Sequence, residues 1–580
     1  MNPLRTPELP GFVAGGEPDS LLSAARGRTG WDAADDARSA TWGDGASREG
    51  ETMLLSPVLR RTAGTVDGAA VDEEMRDHPE SLLDMLPPFA AMRRNGDRVT
   101  MVSDSMGFRQ LYHSVPGAPG PAVMSSSALT AARAVDAGLD EVGLADQSLL
   151  GWQLGQRTLF TGIRKLQPGV VASLGGDGIE LSAPVAQHPD PLALHDAVRQ
   201  AAALLRASLN ALLDDHPDAV LQLTGGLDSR LLLSAIPPSR RRGLRAMTLG
   251  VPGSADVGVA SAISRRHGLV HDVRELTGLA DVTAADAWEL SRDAARRLDA
   301  MCDPIALAAL GLAERAFPQG VRISGLGGEV ARGFYYTGRV TDRSYTRQDA
   351  NRLAAWRMFV NDAVEPGLLT SEFSTWARAA AEGEVHEALV AGGPEWFRAT
   401  DALYLRHRMQ RWAGATDTAV SALRTVINPM LEPGFIDIAM RVRPQDKAQA
   451  RFLALLQMEL DPELGRMPLD NRPAPAAYAH PSPWWPMRQS LSTVRRFGKK
   501  AVQRVRRGNR PPAGGELLAS KVLEHWRAQP QIVEALFSLD FLDQTTLVEA
   551  LAGRRELRPS SVALLVNLVE ATARGGLNDV

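Results

Sequence analysis

Short apolar runs alternate with helical periodicity in the second half of the chain. Residues 219–223 are apolar in the way a buried strand requires, and apolar residues recur at helical spacing from Leu227 onward. The same succession returns as a strand over 245–250, a helix over 256–267 and a strand over 269–273. Strands that alternate with helices predict a doubly wound parallel sheet, in which ligands bind beyond the carboxyl ends of the strands.

The first part of the chain has a different pattern. Residues 1–80 show weak periodicity and predict only scattered short strands, whereas 84–112 predict two strands and a turn into a third. A stretch at 181–191 that contains proline, serine and histidine follows, before the helical pattern resumes. We therefore expect two domains, 1–185 and 192–580, the second carrying the α/β sheet with helical additions.

Composition limits the class of protein. At 580 residues the chain is too long for one ordinary core. Its 64 Lys and Arg against 68 Asp and Glu give a net charge of −4, which argues against a dedicated nucleic-acid binder. The single cysteine, Cys302, excludes an intrachain disulfide framework and is expected to be a small buried residue. Since neither a signal peptide nor a membrane-spanning run is visible in the sequence, we expect a cytoplasmic protein.

One segment departs from this charge balance. After a linker at 473–486 rich in proline, alanine and tryptophan, seven basic residues crowd into 494–507 beside a partial apolar face. They are Arg495, Arg496, Lys499, Lys500, Arg504, Arg506 and Arg507. The pattern predicts a solvated basic helix or lid at about 487–510, and binding of an acidic partner, a membrane surface or RNA is the alternative. Two or three helices are predicted beyond it.

The first chemical motif lies between the strand over 219–223 and the helix after it. It reads Thr224, Gly225, Gly226, Leu227, Asp228 and Ser229. Adjacent glycines let the backbone approach an anion, the two hydroxyls can donate to phosphate oxygens, and the helix directs its positive end to the same place. No Gly-Lys-Ser/Thr follows, and a carboxylate beside phosphates is best explained as a Mg²⁺ ligand. The motif predicts a pyrophosphate site; a plain glycine turn between strand and helix is the alternative.

A second glycine-rich turn follows a strand predicted near 321–324. It reads Ser324, Gly325, Leu326, Gly327, Gly328 and Glu329, and it carries one carboxylate. Because the carboxyl ends of parallel strands meet at one edge of a sheet, Glu329 is expected to face Asp228 there. The two acids together predict a magnesium site.

These two motifs resemble those of the N-type ATP pyrophosphatases, and of the asparagine synthetases in particular. The first is similar to Ser-Gly-Gly-x-Asp-Ser, with Thr224 in place of serine, and the second to Ser-Gly-x-Gly-x-Asp, with Glu329 in place of aspartate. The resemblance implies ATP and Mg²⁺ as cofactors, with the metal on Asp228 and Glu329, and Leu249 and Gly250 against the adenine.

The resemblance extends past these motifs. Cleavage of ATP between its α and β phosphates to form an adenylate is the chemistry it implies. Asparagine synthetases also carry a downstream lysine that faces the reacting phosphate. This chain offers only arginines at the corresponding place, and Arg466 or Arg472 is expected to take the role of that lysine.

The N-terminal part resembles the glutaminase half of asparagine synthetases, an α+β sandwich of the N-terminal nucleophile type. The likeness runs through 107–112, 125–129 and 158–169, although Gln110 stands where that family has proline. Position 2 is Asn2, so the Cys, Ser or Thr that such a glutaminase needs is missing. We expect a degenerate domain that packs against the second domain and shapes a substrate surface, or one that is only structural.

Without a glutaminase, either free ammonia or an amine of the substrate must attack the adenylate. Leu326 stands where β-lactam synthetases have Tyr and asparagine synthetases have Glu, and Thr425 stands near a further Glu of the former. The chain is most similar to the isopeptide-forming cyclases of lasso peptide biosynthesis. That resemblance implies adenylation of an Asp or Glu side chain of a core peptide and attack by the peptide's own N-terminal amine.

Several alternatives stay open at this point. The resemblance to lasso cyclases implies a precursor peptide, a leader-binding protein and a leader peptidase as partners, and no nucleic acid. An ammonia-dependent asparagine synthetase or a β-lactam synthetase-like enzyme would use the same site on another substrate. A non-catalytic scaffold that binds peptide would keep the fold without releasing pyrophosphate.

Overall fold

The computed structural model describes residues 6–34, 36–43, 48–117, 120–183, 190–250, 254–274, 279, 281–315, 320–470, 472–481 and 514–573. The basic segment at 494–507 and Asn2 lie outside these residues, so the expectations for them stay predictions. None of the helices in the described part is both long and apolar enough to cross a membrane.

Two six-stranded antiparallel sheets form the N-terminal unit. Its strands are β1 Gly11–Gly15, β2 Asp32–Ala33, β3 Ser39–Trp42, β4 Arg48–Glu49, β5 Thr52–Leu54, β6 Arg60–Arg61, β7 Gly64–Thr65, β8 Ala90–Asn95, β9 Arg98–Ser103, β10 Tyr112–Ser114, β11 Val123–Ser125, β12 Ile163–Lys165, β13 Ala172–Gly175 and β14 Gly178–Leu181. One sheet has the order β12-β10-β11-β1-β3-β2 and the other β14-β13-β9-β8-β5-β4, while β6 and β7 form a separate hairpin. Helices Pro18–Ala25, Gly68–Asp77, Ala128–Ala134 and Glu141–Leu150 and the 3₁₀ helix Pro79–Asp84 accompany them.

The two sheets pack face to face because alternate residues of each strand point to opposite sides. Phe12 of one sheet and Met53 of the other share a buried core between the sheets. Leu54, the next residue, points the other way and packs with the 3₁₀ helix Pro79–Asp84 and helix Gly68–Asp77. The unit is thus a sandwich of two antiparallel sheets with helices outside.

The C-terminal unit is built on one five-stranded parallel sheet. Its strands are β15 Val220–Gln222, β16 Arg245–Leu249, β17 Val270–Arg274, β18 Arg322–Ile323 and β19 Val426–Ile427, in the order β17-β16-β15-β18-β19. Every pairing is parallel, as predicted. The chain moves from β15 outward to β17 and then returns to the other side of β15, so the order reverses between β15 and β18. A crevice opens at such a reversal, and ligands bind in it.

Helices surround this sheet. The α-helices are Leu194–Asp215, Asp228–Ala235, Pro238–Arg241, Ala255–His267, Ala284–Arg297, Pro304–Arg315, Arg347–Leu353, Ser371–Ala391, Trp396–Leu403, Gly414–Ser421, Pro433–Arg441, Pro444–Lys447, Arg451–Leu460, Pro462–Gly465, Pro475–Ala479, Gly515–Ala528, Gln544–Leu551 and Pro559–Thr572. The 3₁₀ helices are Gly328–Arg332, Pro429–Leu431, Ala448–Ala450 and Pro530–Ser538, and the π-helices are Ala354–Met358 and Tyr404–Ala413.

The structure differs from the sequence prediction in two short places. The strand predicted from residue 84 begins only at Ala90, because a 3₁₀ helix ends at Asp84 and two prolines, which have no N–H to donate, precede the strand. Within the linker predicted at 473–486, Pro475–Ala479 forms a short helix that starts at a proline, which favours a first helical turn.

The two units contact each other through polar side chains. Gln110 Nε2 donates to the backbone oxygens of Gln410 and Arg411 at 3.2 and 3.1 Å. The hydroxyl of Thr418 donates back to the Phe108 carbonyl at 2.8 Å. Gln110, which stands where the glutaminase family has proline, therefore makes a contact between the two units. Cys302 is buried near this contact, and burial raises the pKa of its thiol to about 12, as suits an inert packing residue.

Candidate active site

The first glycine-rich loop connects β15 to helix Asp228–Ala235 and is closed by its own two hydroxyls. The backbone N–H of Thr224 donates to Ser229 Oγ at 3.0 Å, and the N–H of Gly226 donates to Thr224 Oγ1 at 3.1 Å. The two hydroxyl oxygens lie 3.0 Å apart. Both hydroxyls therefore lie together beside the positive end of a helix, where phosphate oxygens are stabilised.

Asp256, which no sequence motif marked, holds this loop from helix Ala255–His267. Its Oδ1 accepts the backbone N–H of Gly225 at 2.6 Å, and the Gly225 carbonyl accepts the N–H of Asp470 at 3.0 Å. Burial raises the pKa of the Asp256 carboxyl, and the nearby charge of Asp470 adds to the effect. The backbone N–H and the backbone C=O of Gly225 are thus both held by residues distant in sequence.

The second glycine-rich loop packs directly on the first, and its glycines are required by that contact. A Cβ on Gly325 would lie 3.0 Å from the backbone N of Ser229, and one on Gly328 would lie 2.6 Å from Asp228 Oδ1. Gly327 has φ of +102°, and a Cβ there would lie 2.8 Å from the Met430 carbonyl oxygen. A larger residue at Gly325 or Gly328 would push the two loops apart, and one at Gly327 would clash with the segment at Met430.

This packing brings Asp228 and Glu329 onto the same guanidinium group. Arg332 Nη1 lies 3.4 Å from Asp228 Oδ2, and Arg332 Nη2 lies 2.9 Å from Glu329 Oε1. The remaining oxygens, Asp228 Oδ1 and Glu329 Oε2, are buried and accept no hydrogen bond from any residue that the structure describes. Two acids from separate loops therefore each present one unpartnered oxygen in the crevice between β15 and β18.

The unpartnered oxygens fit a hard divalent cation. Burial raises the pKa of Asp228 to about 6; Arg332 opposes this shift and the charge of Glu329 reinforces it, so added positive charge would be stabilised there. Among the described residues no group of three or more His, Cys, Asp or Glu could hold a metal. Mg²⁺ typically takes one or two carboxylates and completes its shell with phosphates and water, which matches two acids beside a phosphate loop.

Arg230, the residue after the first loop, positions a distant segment against it. It is fully buried, and it donates from Nη1 to the carbonyl of Met467 at 2.6 Å and from Nη2 to that of Pro468 at 2.8 Å. Arg466, one of the two predicted phosphate contacts, caps the short helix Pro462–Gly465 in the same segment, and its side chain is exposed. Arg230 thus anchors the chain immediately before a second turn.

That turn carries Arg472, the other predicted phosphate contact, to the site. Leu469 and Arg472 pair through their backbones, with the N–H of Leu469 donating to the Arg472 carbonyl at 3.1 Å. Asp470 at the tip bonds to the first loop at Gly225. Burial is the main influence on the pKa of Asp228, and the positive charge of Arg472 is among those that oppose it. Of the two arginines, Arg472 is the one whose charge acts on Asp228.

The predicted adenine contacts lie at the neighbouring strand end. Leu249 ends β16 and is half-buried, and the backbone N–H of Gly250 donates to the Arg274 carbonyl at 3.0 Å. A Cβ on Gly250 would lie 2.3 Å from Val257, so the helix that follows needs glycine here to pack closely. Both residues lie at the carboxyl end of the sheet, and their contact with adenine stays a prediction.

Replacing Gly328 with alanine tests the packing of the loops. The added Cβ would meet the Asp228 carboxyl group at 2.6 Å and displace it. Because misplacement by about 1 Å can cost a reaction about 100-fold, we expect a loss of that order in AMP release with the fold intact. The matched control is Gly258→Ala, whose Cβ meets no atom within 4 Å. Equal activity in both variants, measured by AMP release alongside circular dichroism, would contradict this account of the loops.

A buried ion pair supports the chain behind the second loop. Asp401 Oδ2 accepts hydrogen bonds from Lys447 Nζ at 2.7 Å and from the Tyr336 hydroxyl at 2.8 Å. The Lys447 side chain is 0% exposed and that of Asp401 is 6% exposed. Burial raises the pKa of Asp401, and Lys447 acts against this rise. Tyr336 follows the 3₁₀ helix Gly328–Arg332, so the pair holds the chain that leaves the second loop.

Lys447→Met is expected to destabilise the protein by about 3 kcal/mol, since removing one partner of a buried pair leaves an uncompensated charge. Urea unfolding measures the change. The double variant Lys447→Met/Asp401→Leu removes both charges and is expected to recover most of the loss. If Lys447→Met is as stable as the wild type, the buried Lys447–Asp401 pair does not contribute to the stability of the fold.

Comparison with known proteins assigns a family to part of the chain. Residues 200–453, which contain both loops, match the family described as Asparagine synthase. No curated protein matches. A glutamine phosphoribosylpyrophosphate amidotransferase from B. subtilis, solved with ADP and GMP, is similar at 11% identity and a TM-score of 0.19, covering 46% of this chain and 65% of that one, slightly under two thirds.

A second solved structure, described as the allosteric regulatory enzyme of purine biosynthesis, is similar at 10% identity and a TM-score of 0.20. It covers 46% of this chain and 80% of that chain. The family match over 200–453 is the finding that bears on the site, because the two loops lie inside it. Residues 200–453 of the chain are therefore similar to the asparagine synthase family, and both glycine-rich loops lie within them.

Proposed function

We propose that this protein closes a macrolactam ring in a lasso peptide, by adenylating an Asp or Glu side chain of a core peptide for attack by the peptide's N-terminal amine. The observation that carries the adenylation is the meeting of Asp228 and Glu329 in the crevice, each with one unpartnered oxygen. The choice of a peptide as substrate rests on the resemblance to lasso cyclases.

A free carboxylate resists an amine because it is anionic and its oxygen leaves poorly. In the proposed first step a carboxylate oxygen attacks the α phosphorus of ATP and pyrophosphate leaves, which gives an acyl adenylate. The amine then attacks the acyl carbon, AMP leaves with the carboxylate oxygen, and the amine loses a proton. The sum is one amide, AMP and pyrophosphate from one ATP.

The residues divide this work between them. The hydroxyls of Thr224 and Ser229, which are held by the N–H groups of Gly226 and Thr224, would donate to the departing pyrophosphate. Asp228 and Glu329 would hold Mg²⁺, which when bound neutralises charge on the phosphates. Arg472, whose backbone closes the turn that bonds to Gly225 and whose charge acts on Asp228, would supply positive charge to the reacting phosphate. The remaining requirement is an amine held close to the acyl carbon.

An amine on the substrate itself meets that requirement. Both reacting groups then belong to one molecule, so holding the peptide in a folded conformation removes entropy before the bond forms. A precursor peptide, a leader-binding protein and a leader peptidase would be the partners, in the cytoplasm.

Mass spectrometry of a leaderless core peptide incubated with protein, ATP and Mg²⁺ tests the proposal. Loss of one water from the peptide together with one AMP per peptide is the expected result. AMP release with free aspartate and ammonia, but not with peptide, would instead identify an asparagine synthetase. Peptide binding without any AMP would identify a scaffold and overturn the enzymatic proposal.

A further inference from the structure

A row of aromatic rings leads from the second loop toward the protein surface. Phe334 follows Arg332 by two residues, and its ring stacks on Tyr404 with centroids 4.5 Å apart at 24°. The Arg408 guanidinium lies 5.5 Å from the Phe334 ring centroid and 4.9 Å from that of Trp412. Trp412 is 38% exposed. We call Phe334, Tyr404, Arg408 and Trp412 the aromatic row.

The inner end of the row lies at the acids. Phe334 lies two residues after Arg332, whose guanidinium contacts both Asp228 and Glu329, and Tyr404 stacks on Phe334. Three members of the row lie on one π-helix, Tyr404–Ala413. Its i→i+5 hydrogen bonds widen the turn, so residues four apart, such as Tyr404, Arg408 and Trp412, share one side. The row therefore runs from the site to solvent without interruption.

The rim around the row is positively charged. Arg408 lies against both Phe334 and Trp412, and the exposed Arg406 is on the same π-helix. Arg357 donates from Nη2 to the Phe334 carbonyl at 3.0 Å, and Arg357 and Arg406 are both exposed. Rings with arginine between them, inside a basic rim, match a partner that brings both a ring and negative charge.

We propose that the aromatic row binds the part of the substrate next to the reacting carboxylate, as an extended acidic peptide segment that stacks an aromatic side chain on Trp412. This rests on the function proposed above. Negative charge on the segment would be drawn to the rim, while the ring would extend the stack outward beyond Trp412. The row would thereby select peptides by an aromatic residue at a fixed distance from the acid.

The test compares Trp412→Ala with Trp376→Ala, a matched control whose ring is 39% exposed on helix Ser371–Ala391 and packs on Phe373. AMP release is measured against peptide and against ATP. Trp412→Ala is expected to raise the KM for an acidic, tryptophan-containing peptide about tenfold with the KM for ATP unchanged, while Trp412→Phe stays near the wild type. Trp376→Ala is expected to change neither constant.

Replacing the tryptophan of the peptide with alanine should make the KM for peptide the same in the wild type and in Trp412→Ala. Equal KM values for peptide in Trp412→Ala and Trp376→Ala would overturn the proposal. If the wild type releases no AMP with peptide, the proposed function fails, and fluorescence anisotropy then decides this inference separately. A labelled peptide with glutamates and one tryptophan must bind the wild type more tightly than Trp412→Ala and more tightly than its lysine counterpart; equal binding would refute the row.

Discussion

Asp228→Asn is expected to abolish AMP formation while the protein stays folded. The substituted amide would keep the size of the side chain but lose the negative charge that faces Arg332 and the unpartnered carboxylate oxygen buried beside Gly328. A neutral amide oxygen is a far weaker ligand for a hard cation than a carboxylate. AMP release in the presence of ATP, Mg²⁺ and substrate measures the effect. Activity within tenfold of the wild type would refute the metal role of Asp228.

Thermal stability shows whether Asp228→Asn loses activity without losing its fold. Burial raises the pKa of Asp228 from 3.8 to about 6. Between about pH 4 and pH 6 the Asp228 carboxyl is then protonated more fully in the native protein than in the unfolded chain. The contribution of Asp228 to the free energy of unfolding therefore falls as pH rises through that interval. Asparagine does not titrate, so at neutral pH, without metal or nucleotide, the variant should melt no lower than the wild type. Asp437→Asn, at a side chain 52% exposed, is the control and should retain activity.

The loops around Asp228 could be predicted from sequence because their signal is local. A short apolar run, two glycines and a helical pattern stand next to one another in the chain, and each limits the backbone directly. The parallel sheet followed from the alternation of strands and helices, and the structure has it. The positions of Asp228 and Glu329 at one edge then follow from sheet topology.

The residues that hold the loops in place could not be predicted in the same way. Asp256 and Arg230 reach their partners only through the tertiary fold, so nothing in the neighbouring sequence distinguishes them from ordinary helix residues. Arg332 had a weak signal, since it follows Glu329 at a spacing of three, which places two residues on one face of a helical turn.

Arg472→Leu is expected to lower the rate of adenylation about 100-fold, the usual order for removal of one preorganised group that stabilises charge in a transition state. Arg230 clamps the chain before the turn, and Asp470 bonds the turn to Gly225, so position 472 is fixed against the first loop. Since the charge acts chiefly on the developing pyrophosphate, kcat should fall while the KM for ATP changes little. Arg472→Lys should recover part of the rate, because it keeps the charge without the planar fork.

Arg466→Leu is the matched control for this prediction. Both arginines are exposed and lie in one segment of the chain, but Arg466 caps a short helix, whereas Arg472 closes the turn on the first loop. Single-turnover formation of AMP should therefore be near the wild type in Arg466→Leu and strongly reduced in Arg472→Leu. The reverse result would mean that nucleotide binding rearranges the segment between the two arginines. The clamp by Arg230 would then have to open in the working enzyme, and Arg230→Met would leave the rate unchanged.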